Sequence, residues 1–127
     1  MKAVVLEKIG DSKEAFSIKE VDEPSALKED EVLIEVEAFG LNFADVMARR
    51  GLYNDAPPLP SILGYDVVGK VRKSGAQVGD FLIGKRVVAM TRFGGYAQWA
   101  KTKISGVAVI GDKMQAFEAS ALATQYC

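Results

Sequence analysis

The sequence predicts a mainly β fold with short helices, arranged as a small barrel rather than a βαβ sheet, and three observations carry that prediction. Residues 31–39 (EVLIEVEAF) alternate, with Val32, Ile34, Val36 and Ala38 on one face and Glu31, Leu33, Glu35 and Glu37 on the other. That is the pattern of a strand with one buried side. Further short β-rich runs follow at close spacing, with Gly-rich turns between them. Within one of these, residues 62–72 (ILGYDVVGKVR), Gly64 and Gly69 mark places for a bulge, a sharp bend or a close backbone approach. Strands that bend are what barrels need.

In chain order, residues 2–7 (KAVVLE) and 16–21 (FSIKEV) read as two strands of a hairpin across the turn Gly10-Asp11-Ser12. Residues 22–30 (DEPSALKED) are polar with a proline and form a connection into the alternating strand. Gly40 ends that strand. A short helix is expected next: Asn42 suits the N-cap, Asp45 falls at the third helical position, and Leu41 and Val46 have hydrophobic-staple spacing. Arg49 and Arg50 suit the negative end of its dipole, and Gly51 supplies a left-handed stop. Residues 54–61 (NDAPPLPS) carry three prolines and read as loop or extended backbone. After the strand of 62–72 comes a turn-rich connection over 73–84, then three short strands over 85–91, 95–101 and 107–110. Residues 115–126 (QAFEASALATQY) are Ala-rich and helical by propensity.

Length and pattern predict a single domain over residues 1–127, with no repeat and no second-domain boundary. The formal net charge is −1 and the basic residues are scattered, so no footprint for nucleic acid or anionic lipid is present. No apolar run reaches the roughly 20 residues a membrane span needs, and the start MKAVVLEKIG turns charged too soon for a signal peptide. Cys127 is the single cysteine, so no internal disulfide forms and a cytoplasmic protein is expected. The absence of histidine decides more. With one thiol at the last position and no imidazole, the chain cannot assemble a zinc site, and acid–base work falls to Tyr, Asp, Glu, Lys, a cofactor or water.

The chemistry is expected where the alternating strand runs into the short helix, over residues 38–53 (AFGLNFADVMARRGLY). Local physics alone gives its polar residues ordinary roles. Asn42 is a helix cap, Tyr53 a packed loop aromatic with a wet hydroxyl, and Tyr65 and Asp66 one buried and one exposed strand residue. The chain carries no GxGxxG, P-loop or nucleophile elbow.

Taken together these segments say more. GLNFADVMARRGLY, PPLPSILGYDVVGKV, GKRVVAM, FGGYAQWA and FEASALA occur in an order that resembles the catalytic domain of the medium-chain dehydrogenase/reductase superfamily. Within it the chain is similar to the zinc-independent quinone oxidoreductase branch, and most of all to its vesicle amine transport protein 1-like members. The resemblance covers nearly the whole chain. It implies a GroES-like, partly open β-barrel that forms one wall of a cleft, the other wall being a Rossmann domain that carries NADPH. That domain, and a returning C-terminal segment, are not in this sequence, so the fragment alone is expected to be inactive.

In the zinc-dependent alcohol dehydrogenases of the superfamily a metal-binding Cys falls where this chain has Asn42, and a His-Glu pair where it has Tyr65 and Asp66. The resemblance therefore implies no catalytic zinc. By likeness to the quinone oxidoreductase branch, Asn42 lies against the nicotinamide end of NADPH and Tyr53 reaches the substrate as the catalytic residue. Tyr65 is a lesser candidate for the substrate-cleft lining, and Asp45 is structural. The implied activity is hydride transfer from NADPH to a quinone or an α,β-unsaturated carbonyl, in a full-length protein that is allowed to form a homodimer. The alternative is a non-catalytic interaction or transport-associated module of the same family.

Overall fold

The structure, a computed structural model, describes residues 1–10, 15–24, 26–40, 49–51, 58–91, 93–111 and 113. These residues form seven strands: β1 Lys2–Leu6, β2 Phe16–Glu20, β3 Glu31–Phe39, β4 Asp66–Ser74, β5 Arg86–Met90, β6 Trp99–Lys103 and β7 Val107–Val109. β1 and β2 pair as an antiparallel ribbon in which Leu6 faces Phe16. The other five make an antiparallel sheet in the order β6-β3-β4-β5-β7. The sheet is not closed into a barrel. The ribbon abuts it through isolated bridges, Ala3 with Ala97 and Leu6 with Ser61, and the Val4 amide donates to the Tyr96 carbonyl at 2.8 Å. The result is the mainly β, partly open architecture that the sequence implies, with a single 3-10 turn, Ile104–Gly106, among the described residues.

β3 forms because its alternation lets one face be covered by two neighbours. Val32 and Ile34 are fully buried with Val67, Val71, Val87, Ala89 and Ala100 in the main core. Each such valine or isoleucine contributes about 1.5–3 kcal/mol by burial. A second cluster, Leu6, Ala15, Leu63 and Tyr96, ties the ribbon to the backbone that precedes β4 and β6. Gly69 stands opposite Val36, next to a register shift in β3. A Cβ there would meet the Glu35 carbonyl oxygen and lie 2.8 Å from the Ile34 Cγ2. Gly64 has a φ of +112°, and a Cβ on it would lie 2.7 Å from the Gly95 Cα. One glycine thus marks a bulged crossing and the other a bend with close backbone approach.

Three details differ from the sequence reading. β4 starts at Asp66 rather than at residue 62, because the backbone of 62–65 is bonded to Thr91 and to 94–96 instead of to a ladder. β6 starts at Trp99 rather than at residue 95. The Gln98 amide donates to the Lys2 carbonyl at 3.2 Å while its own carbonyl accepts from Val36 at 2.9 Å, so 96–98 is shared between ribbon and sheet. Glu31, on the expected exposed face, is only 8% exposed: its Oε1 accepts from the Lys28 amide at 2.8 Å, with Lys101 Nζ at 4.0 Å.

The short helix expected from Asn42, with Asp45, and the helix expected over 115–126 lie outside the described residues. At the edge of the first, Gly51 has the left-handed φ of 74°. The Arg49 guanidinium donates to the Gly10 carbonyl at 3.0 Å, which anchors this segment to the β1–β2 turn. Among the described residues no helix is long and apolar enough to cross a membrane.

Candidate functional site

Of the three residues singled out from the sequence, the structure places Tyr65. Asn42 and Tyr53 lie outside the described residues. Tyr65 sits half-buried between the Gly64 bend and β4, and its position is fixed through the backbone on both sides. The Thr91 amide donates to the Tyr65 carbonyl at 2.7 Å, and the Thr91 Oγ1 donates to the Gly64 carbonyl at 2.6 Å. The Tyr65 ring meets Phe93 edge to face, with centroids 6.0 Å apart at 61°. Such a pair adds roughly 0.5–1.5 kcal/mol beyond area burial and orients the phenol.

Next to Tyr65 a cleft of about 430 Å³ opens. Tyr65, Met90 and Thr91 line it from the β4–β5 side; Glu31, Lys101, Thr102 and Lys103 line it from the β3–β6 side. The two sides are held together by the Thr102 Oγ1, which donates to the Met90 carbonyl at 2.7 Å. Because Thr91 and Thr102 spend their protons on backbone carbonyls, their oxygens face remaining partners as acceptors, whereas the Tyr65 phenol and the lysines are donors. The cleft therefore offers hydroxyl and ammonium groups on a largely apolar wall, a donor set suited to a carbonyl-bearing organic ligand.

The neighbour of Tyr65 is Asp66, whose side chain is fully buried. Its carbonyl accepts from the Gly40 amide at 3.2 Å. Gly40 ends β3 two positions before Asn42, so the strand that leads to Asn42 is bonded to the residue beside Tyr65. Sequence reasoning missed Met90, Thr91, Thr102 and the two lysines of the cleft. Threonines at strand ends are common, and only the β4–β5 and β3–β6 pairings reveal that these face Tyr65.

Comparison with known proteins now fixes the family, because residues 28–123 match the alcohol dehydrogenase GroES-like domain. The chain belongs to that family. It is similar to the synaptic vesicle membrane protein VAT-1 homolog-like of Mus musculus, 36% identical over 122 residues, which are 95% of this chain and 28% of that protein. The crystal structure of the human VAT-1 homolog-like protein superposes with a TM-score of 0.87 at 33% identity, over 95% of this chain and 38% of that one. The quinone oxidoreductase of Escherichia coli, crystallised with NADPH, superposes with a TM-score of 0.84 at 30% identity, over 95% of this chain and 36% of that one. The chain thus spans less than two-fifths of these relatives, and within the medium-chain dehydrogenase/reductase superfamily it is a quinone oxidoreductase-like domain of GroES-like fold.

Proposed function

We propose that this chain is the substrate-side domain of a zinc-independent, NADPH-dependent reductase of quinones or α,β-unsaturated carbonyls. Residues 1–127 then form one wall of a catalytic cleft, completed by a nucleotide-binding domain. The observation that carries the reading is the cleft beside Tyr65, walled by hydroxyl donors and acceptors and bonded through Asp66 to the end of β3 that leads to Asn42. Zinc independence is supported by composition: no histidine, and a single cysteine at position 127.

When bound, NADPH supplies the hydride. The chain's own residues orient the partners and stabilise the oxygen on which charge develops. Asn42 holds the nicotinamide end through its amide, which provides both a donor and an acceptor. The Tyr53 hydroxyl donates a hydrogen bond, and finally a proton, to the reduced carbonyl or quinone oxygen. Tyr65, set by Phe93 and Thr91, lines the pocket and keeps the substrate ring against the apolar wall. A second reading, an interaction or transport-associated module without turnover, is supported by the likeness to proteins named for synaptic vesicle membranes.

The experiment is a set of substitutions at Asn42 in the intact protein. As a helix cap alone, Asn42→Asp and Asn42→Ser are nearly harmless and Asn42→Ala costs about 1 kcal/mol of stability. As a nicotinamide contact, Asn42 needs a donor that Asp lacks and a reach that Ser lacks. The expected outcome is a wild-type melting temperature for Asn42→Asp and Asn42→Ser, with a raised KM for NADPH or a lowered kcat. Kinetics left intact by both, with only Asn42→Ala lowering the melting temperature, would reduce Asn42 to a cap.

A further inference from the structure

The cleft beside Tyr65 is not electrically balanced, and the imbalance bears on the substrate class. Three charged side chains line it, Glu31, Lys101 and Lys103. Glu31 is nearly buried and already engaged: its Oε1 accepts from the Lys28 amide and has Lys101 Nζ at 4.0 Å. Lys103 stands directly across the β3–β6 ladder from Glu31, is exposed, and makes no ion pair among the described residues. One positive charge is left over on a cleft whose other lining residues, among them Tyr65, Met90, Thr91 and Thr102, are uncharged.

Resting on the reductase reading, we propose that this cleft selects quinones or enones that carry a carboxylate on an apolar arm, with Lys103 as the specificity-determining cation. The volume, about 430 Å³, accommodates a ring and a short chain. A single surplus ammonium matches a single negative charge, which favours a monoanionic carboxylate over a dianionic phosphate. The charge of Lys101 is offset by the Glu31 carboxylate 4.0 Å away. Because Lys103 is exposed, its contribution is modest and falls with ionic strength.

The test compares a 1,4-benzoquinone bearing a carboxybutyl arm with its methyl ester, as substrates of the intact protein with NADPH. The acid is expected to show a KM about threefold below that of the ester at low salt, a gap that closes as salt is raised. Lys103→Met should abolish the difference in KM between acid and ester, with the larger rise on the acid; Lys103→Glu should raise the acid's KM further, about tenfold in all. Equal KM values for acid and ester in the wild type, or a Lys103→Met variant that raises both alike at an unchanged melting temperature, overturns the proposal. So does a rise confined to NADPH, which would assign the lysine to the cofactor's phosphates. If neither quinone is reduced by protein that binds NADPH, the reductase reading fails by itself. Calorimetric titration of the acid into the wild type and Lys103→Met then decides the cleft: binding lost in the variant upholds the anion site, and no binding to the wild type overturns it.

Discussion

A tyrosine hydroxyl is a small group on which to hang a reaction, and in this chain two tyrosines carry different parts of it, Tyr53 the proton and Tyr65 the cleft wall. Tyr65 is oriented by Phe93 and by the backbone of Thr91, so its phenol is a fixed feature of the cleft wall. Tyr53 is assigned the proton on likeness alone, and a Tyr53→Phe substitution separates chemistry from packing because it keeps the ring. We expect kcat for a quinone or enone to fall by up to about 10²-fold, the effect of losing one oxyanion donor, at a nearly unchanged melting temperature. Unaltered kinetics would pass the proton to water. Tyr65 and Asp66 also show what sequence does and does not carry. Their contrast in burial was legible from alternation, but the order was not: Asp66 is the fully buried member and Tyr65 the half-exposed one. The bend at Gly64, with its positive φ, sets which of the two turns inward, and a glycine in a sequence announces a bend without giving its direction.

At the scale of elements, the bounds of β3 were legible because its signal is local: Val32, Ile34, Val36 and Ala38 repeat on one face and three glutamates fall on the other. The ends of β4 and β6 were not, because 62–65 and 96–98 look like strand in composition, yet 62–65 bends at Gly64 and bonds to Thr91 and 94–96, while 96–98 is shared between β1 and Val36. The cleft falls in the same class, since Thr91 and Thr102 come to line it with Tyr65 only through bonds between segments far apart in the chain, Thr91 to Gly64 and Thr102 to Met90. The β1–β2 ribbon carries a local electrostatic device of its own. Lys19 pairs with Glu7 and, by hydrogen bonding to its carboxylate, holds the Glu7 carboxyl below its ordinary value of 4.5. A carboxyl whose folded value is depressed binds protons less readily than in the unfolded chain, so its contribution is present above 4.5 and is lost as pH falls through the lower folded value. Thermal melts between pH 3 and pH 7 should therefore show a shallower acid-side decline for Glu7→Gln than for the wild type. Parallel curves for the two proteins would show that the pair is energetically silent, as many exposed ion pairs are.

For the molecule as a whole, the pairing pattern makes stability a property of the full span rather than of any part. β3, the centre of the sheet, has β4 on one side and β6 on the other, and β6 arrives some seventy positions later. β1 is tied to residues 96–98 as well as to its hairpin partner, through the Ala3–Ala97 bridge and the Val4–Tyr96 and Gln98–Lys2 hydrogen bonds. A chain cut after residue 90 keeps five of the seven strands but loses β6, β7 and the partners of β1 at 96–98. We expect that truncated chain to show no cooperative thermal transition by circular dichroism under conditions where residues 1–127 melt in one step. A single sharp transition for the truncated chain would place the stabilising core in the first five strands alone.

The bridge between Ala3 and Ala97 also sets a schedule during synthesis. A ribosome adds about 5–20 residues per second, so roughly 5–20 s separate the making of Val4, Val5 and Leu6 from the making of the segment that covers them. During that interval the nascent chain displays an apolar strand with an unpaired edge, the kind of surface that chaperones bind and that neighbouring nascent chains on a polysome can zip onto.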